Sequence, residues 1–389
     1  MVERPDLDER ARGAKHALRR GLVVLLAVPA AACGPRERSV TYAESRAAVF
    51  AAASLEEAER LGELAASPES LAALRERAIQ ILLDAADSPV AEGRAHAVEA
   101  LVPVPKRLNR LAGRLLADEN LGVRSITAFA VGKARLAGHE PTLRAMLTDP
   151  SPHARASAIY ALNRVGSPAN PTPLAGLLLL QNDLRLRSHA AFLLGELGEG
   201  SARSLLREAR ATPPERAAAD QLRLYYIQIA EALVKLGDER AIEGIRAALY
   251  PGRPEELEAT ALAVQVIGEL GDRGSLDALI YLSAAQDQSG NLQPAEVRLA
   301  AASAACRLGE TSGTFIADEY YRSSNPALRS QAADVYGWTF ELEHLPRLEG
   351  MLDDRSVRVQ ISAAESVLRI VDDNAPIFAG SAAASERNP

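Results

Sequence analysis

RASAIYALNRVG, residues 155–166, and RSHAAFLLGELG, residues 187–198, follow one pattern. Each opens on an arginine and sets apolar residues at four fixed offsets before a final glycine. The first reads Ala158, Ala161, Leu162, Val165 and Gly166; the second reads Ala190, Leu193, Leu194, Leu197 and Gly198. Offsets of i, i+3, i+4 and i+7 describe one face of an α-helix. A glycine directly after that face supplies the left-handed residue on which helices commonly end. The pattern returns at Ile229, Ala232, Leu233, Leu236, Gly237; at Ala263, Val266, Ile267, Leu270, Gly271; and at Ala301, Ala304, Ala305, Leu308, Gly309. Repetition at intervals in the thirties means stacked supersecondary units, each burying its apolar face only against its neighbours.

Working outward, the units have a two-helix rhythm. Pro141 suits the first turn of an outer helix, and Leu143, Met146 and Leu147 give that helix an apolar stripe. Asp149-Pro150-Ser151-Pro152 makes a tight turn, and Arg155 opens the second helix. The same arginine position recurs at Arg94, Arg124, Arg187, Arg223, Arg298, Arg329 and Arg358, with Glu258 replacing it once. This gives about nine second helices, preceded by less regular helices near 54–66 and 69–86, the first opened by a capping-box pair, Ser54 and Glu57. The expected fold is all-α, a right-handed α-solenoid of two-helix repeats over residues 53–371.

The aspartate before the turn, the Val-Arg pair opening the second helix and the Leu-Gly close resemble the HEAT family. The likeness is to the short HEAT-like repeats first described in phycobilisome lyases. Asp118 with Val123-Arg124, Asp149 with Arg155, and Asp354 with Val357-Arg358 carry it; Ser323 before Arg329 departs, as does Glu258. The resemblance implies an architecture and no particular function, because such repeats serve many roles.

The first 33 residues stand apart. Arg19-Arg20 precede the apolar run Leu22-Val23-Val24-Leu25-Leu26-Ala27-Val28, followed by Ala30-Ala31-Ala32-Cys33. A basic stretch, a short apolar core and small residues make an export signal, too short to span a membrane. The close on Cys33 resembles a bacterial lipoprotein signal, which implies lipidation of that thiol; Ala30, where that family prefers leucine, departs. Ala30-Ala31-Ala32 also suits ordinary signal peptidase, and a retained apolar helix is the third reading. Residues 34–52 read as a tether, and 372–389 as a disordered tail. With Cys33 set aside only Cys306 remains, so no disulfide framework is expected.

Beyond Cys33 the chain carries 38 basic and 47 acidic residues, an acidic balance that argues against nucleic acid. None of the six histidines forms a zinc spacing such as H-x-x-x-H, and no phosphate loop, dinucleotide fingerprint or G-x-S-x-G elbow is present. His139-Glu140 is the single pair resembling those of the HEAT-like deoxyhypusine hydroxylases, whose di-iron centre needs several. No cofactor, no metal and no catalytic residue is expected.

Two sets of residues remain as candidates. Arg124, Arg155, Arg187, Arg298, Arg329 and Arg358 read as a structural ladder pairing with aspartates across the inter-helix turns. Tyr225-Tyr226, Tyr320-Tyr321, Tyr336 and Trp338 stand out in an aromatic-poor chain. Adjacent tyrosines point about 100° apart on a helix, so they cannot both face the core, and surface Tyr and Trp are favoured binding anchors. The functional expectation is a non-catalytic scaffold or adaptor of the bacterial cell envelope. It would be lipid-anchored at Cys33 and bind a protein partner along the concave face of the second helices. A regulatory subunit of an enzyme complex is the alternative, and a HEAT-repeat lyase or hydroxylase-like enzyme the third reading.

Overall fold

The computed structural model describes residues 55–284, 286 and 290–385. The export signal, Cys33 and the tether lie outside the described residues. Described regular structure is helical, apart from one isolated bridge between Gln286 and Leu292. The helices are α1 (Leu55–Ala66), α2 (Pro68–Ala85), α3 (Ala91–Ala100), α4 (Pro105–Leu115), α5 (Leu121–Lys133), α6 (Glu140–Ala145) and α7 (Pro152–Arg164). Next come α8 (Thr172–Leu180), α9 (Leu184–Leu197), α10 (Ala202–Ala211), α11 (Ala219–Lys235), α12 (Ile242–Ala247) and α13 (Leu257–Leu270). The last are α14 (Leu276–Ala284), α15 (Ala295–Arg307), α16 (Thr314–Tyr320), α17 (Pro326–Gly337), α18 (Leu345–Met351) and α19 (Val357–Ser385). The fold is an all-α solenoid of HEAT-like repeats, with the odd-numbered helices from α3 onward as second helices. They divide into two compact units, residues 86–244 and residues 55–85 with 245–385.

The local signals act as read. Several second helices start on side-chain caps: Asn120 Oδ1 accepts the Gly122 amide at 2.9 Å, Asp183 Oδ1 that of Arg185 at 2.8 Å, and Asn325 Oδ1 that of Ala327 at 2.9 Å. Gly166, Gly198, Gly237, Gly271 and Gly309 all take φ between 72° and 88°. Two units lack the glycine, and there Arg135 (φ 53°) and Phe340 (φ 61°) occupy the left-handed position at a steric cost. The offset residues form the core: Ala158, Ala161, Leu162, Ala190, Leu193, Ile229, Ala263 and Ala301 are fully buried. In the first unit, α4 to α7 share one cluster that includes Leu116, Val131, Leu143 and Leu162. Cys306 is buried in α15, and burial pushes its thiol up to about 12.

Counting back from each left-handed residue exposes a second rule. Three positions before it lies glycine in alternate units: Gly132, Gly195, Gly268 and Gly337. A Cβ at Gly132 would sit 2.7 Å from Ala161 Cα, one at Gly195 2.8 Å from Ala232 Cα, and one at Gly268 3.2 Å from Ala304 Cβ. Neighbouring second helices therefore approach backbone to backbone.

The N-terminal helices differ from expectation. Besides preceding the repeats, α1 and α2 dock on the far end of the chain. Arg60 forks onto Glu349 (2.8 and 2.9 Å), Arg77 reaches Asp353 (2.6 Å), Arg75 reaches Asp372 (2.5 Å), and Arg347 reaches back to Glu57 (3.2 Å). α19 runs on to Ser385, and the Asn374 amide donates to Phe340 O and Ile370 O, both at 2.9 Å. The Arg75 contact and these bonds hold the segment just past Val371 in the helix.

Gly195→Ala gains about 1 kcal/mol of helix propensity but meets the Ala232 backbone. We expect a net loss of roughly 1–3 kcal/mol in chemical denaturation. Gly176→Ala in α8, where a Cβ meets nothing within 4 Å, should instead stabilise by a few tenths to about 1 kcal/mol.

Candidate functional site

The arginine ladder joins successive units. Arg124 Nε and Nη2 fork onto Asp149 at 2.8 and 2.9 Å, while its Nη1 donates to the carbonyls of its own turn, Asp118 (2.9 Å) and Glu119 (3.2 Å). Arg94 treats Asp118 and the Ser88 and Pro89 carbonyls in the same way, and Arg329 treats Asp354 and the Ser323 and Ser324 carbonyls likewise. The carboxylate thus comes from the following unit, not from across the arginine's own turn as expected. A guanidinium fork matches a carboxylate, and one edge N–H remains for the carbonyls. Burial by itself raises Asp149, but Arg124 and the Ser151 amide outweigh it and leave the carboxyl below its usual range. Arg187 uses carbonyls alone, of Leu179, Gln181 and Thr212. Arg298 takes Glu319, the Tyr320 hydroxyl and the Ser283 carbonyl. Arg358 lies half-buried in the first turn of α19.

The opposite register of the second helices carries a row of long side chains. Six residues before each left-handed position stand Phe129, Tyr160, Phe192 and Glu231 in the first unit; two before stand Lys133, Arg164, Glu196 and Lys235. Phe129 stacks on Tyr160 (centroids 4.9 Å) and also reaches Phe192, two second helices away, at 5.2 Å. Lys133 Nζ meets Glu196 at 2.6 Å across the same span, and Lys235 meets Glu196 at 2.7 Å. Contacts that skip a helix require this face of the first unit to be concave. Burial raises Glu196, yet Lys235 and Lys133 outweigh it and hold the carboxyl below its usual range. Lys235 also sits over the Phe192 ring at 5.1 Å.

In the second unit the same positions bring Trp338 between two guanidinium groups, Arg369 at 3.8 Å and Arg307 at 4.4 Å from the ring centroid. Arg369 is held by Glu365 at 2.7 Å. Of the six aromatic candidates, Trp338 alone belongs to the row. Tyr225 and Tyr336 are fully buried, their hydroxyls satisfied by Ala209 O (3.0 Å) and Asp318 Oδ1 (2.6 Å). They are core residues and not surface anchors, because an apolar ring whose hydroxyl finds an acceptor is stable inside. Tyr226 is half-buried against Tyr225. Tyr320 is tied to Arg298, and half-buried Tyr321 lies between Arg322 and Arg347.

Sequence reasoning missed most of this row, although its signal was available: the positions follow from counting back six and two from each closing residue. It also missed a cluster around the turn before α18. There Arg347 joins Asp318 and Glu57, and the ligand atoms of Glu341, Glu343 and His344 lie within 4.8 Å of one another. That trio is the one group among the described residues with the geometry to hold a metal ion.

Residues 108–195 match the family model for HEAT repeats. This segment is made of HEAT repeats. Among solved structures, a chain of the complex of CpcE and CpcF of phycocyanin lyase from Nostoc sp. PCC7120 is 16% identical, with a TM-score of 0.36, over 68% of this chain and 94% of that one. An engineered protein is 16% identical, with a TM-score of 0.28, over 68% of this chain and 96% of its own. No curated protein matches the chain.

The HEAT repeats also bury a polar line. Ser125 and Ser157 hydroxyls meet at 3.0 Å, and Ser157 meets His189 Nε2 at 3.2 Å. Burial, with His153 nearby, drives the His189 pKa well below its usual 6.5, so the folded protein holds it neutral. The unfolded chain binds that proton near 6.5. Stability is therefore full above pH 6.5 and declines as pH falls below it, before the ladder carboxylates protonate. Melting temperature followed from pH 7.5 to 4.5 should show this slope, flattened in His189→Asn. For the ladder, Arg124→Ala strands the buried Asp149 carboxylate and should cost about 2–4 kcal/mol in urea denaturation at pH 7.

Proposed function

We propose that this chain is a non-catalytic, protein-binding scaffold or adaptor of the bacterial cell envelope, lipid-anchored at Cys33. Its partner docks along the row of second-helix side chains. The row carries the reading. Neighbouring positions on the same helices are alanine and leucine packed into the core, whereas in the first unit these two positions leave Phe129, Lys133, Arg164, Glu196 and Lys235 at least partly exposed; Tyr160, Phe192 and Glu231 of the same register are buried. Aromatic and arginine side chains are the common anchors of protein interfaces. The row also mixes signs, with Lys133 exposed at one end and Glu196 shared by two ammonium groups. A protein surface of mixed charge complements that pattern better than a polyanion does. No described helix is long and apolar enough to cross a membrane, so attachment in this reading rests on the lipidated cysteine.

Photo-crosslinking residues placed at Arg164 and Lys235 in the row of the first unit, and at exposed Arg110 in α4, test the surface in living cells. One protein captured at the row positions and not at Arg110, and lost on Lys133→Glu, is the expected result. Equal capture from both faces, or none, would sink the docking surface. Retention of Cys33→Ala in the membrane fraction would remove the anchor from the proposal independently.

A further inference from the structure

At one rung of the arginine ladder, that of Arg155, the carboxylate is missing, and the arginine borders a pocket. In a complete rung the acceptor stands two residues before the cap of the next second helix: Asp118 before Asn120, Asp149 before Ser151, Asp354 before Ser356. Arg155 begins its rung normally, with Nη1 donating to Asp149 O (2.6 Å) and Pro150 O (3.1 Å). The acceptor position ahead of it is Gln181, two residues before the cap Asp183. The backbone there is extended (φ −85°, ψ 145°), as it is at Asp149 (φ −56°, ψ 141°). The place is built; the carboxylate is missing. The Gln181 carbonyl is engaged by Arg187.

A departure elsewhere in the ladder shows what compensation looks like. Ser323 stands in the acceptor position for Arg298, and Glu319, four residues earlier, supplies the fork's acceptor at 2.8 and 3.3 Å. Four residues before Gln181 lies Leu177. Leu177 and Arg155 both line a pocket of about 310 Å³, walled by apolar Leu147, Ile159 and Pro173. That volume is at the lower end of the range for small-molecule sites, which are apolar with a few placed polar groups. A guanidinium with its fork unused beside an apolar cavity is complementary to one chemistry, an anionic carboxylate carrying an aliphatic chain.

We propose that this pocket binds a small aliphatic carboxylate, its headgroup on the Arg155 fork in the place of the missing aspartate and its chain against Leu147, Ile159 and Leu177. The site is independent of the second-helix row and of any envelope partner.

Octanoate and octanol, titrated calorimetrically into the purified chain, provide the test. Octanoate should bind, and octanol roughly tenfold or more weakly, because it lacks the charge that the fork recognises. Gln181→Asp restores the rung from within: it should raise the melting temperature of the free protein and abolish octanoate binding. A folded Arg155→Gln variant should lose the preference for octanoate over octanol. Absence of octanoate binding to the wild type, equal binding of the two probes, or binding unchanged in Gln181→Asp would each overturn the proposal.

Discussion

At the glycines of the second helices, helix backbone lies directly against the neighbouring helix. Where Gly132 faces Ala161 and Gly195 faces Ala232, there is no room for one more carbon atom. Much of the first unit follows from that approach. Helices that close leave little room between their side chains, so long residues on the inner register meet those of helices two steps away. The Phe129–Phe192 and Lys133–Glu196 contacts are consequences of this. The same glycine position recurs only in alternate units, so tight and ordinary contacts alternate along the second helices.

At the turns the spacing is fixed by charge and not by size. Arg94, Arg124 and Arg329 each bind the carbonyls that end their own turn and the carboxylate that begins the next, so one side chain holds two units in register. Half-buried forks of this kind have both partners largely removed from water, and each depends strongly on the other. Departures are correspondingly informative. Glu319 fills in where Ser323 stands, whereas Leu177 offers apolar surface where Gln181 stands. The first keeps the ladder intact, and the second leaves a cation beside a cavity.

The helical faces, the left-handed closes and the positions of nearly all turns could be read in the sequence, because they depend on residues within one or two turns of each other. The partner of each ladder arginine could not. Asp118 and Arg124 are neighbours in sequence, but the stacking of units hands Asp118 to Arg94 and gives Arg124 to Asp149, partners 24 and 25 residues apart. The aromatic residues were misread for a related reason. Unusual abundance drew attention to Tyr225 and Tyr336, while their register relative to the closing residue places them inside and Trp338 on the row. Docking of α1 and α2 on α18 and α19 left no local trace, since ion pairs such as Arg60–Glu349 span 289 residues.

That docking has a consequence for the order in which the protein can assemble. Residues 86–244 contain their own partners and can fold as the chain is made. The helices made first, α1 and α2, have their acceptors in the part made last: Glu349, Asp353 and Asp372. At about 5–20 residues per second, Arg60 waits roughly 15–60 s of synthesis for its partner. Throughout that time the start of the repeat region is without the surface it finally covers. The unit it completes can close only after α18 and the start of α19 have been made, and a chain cut short before α18 never closes it.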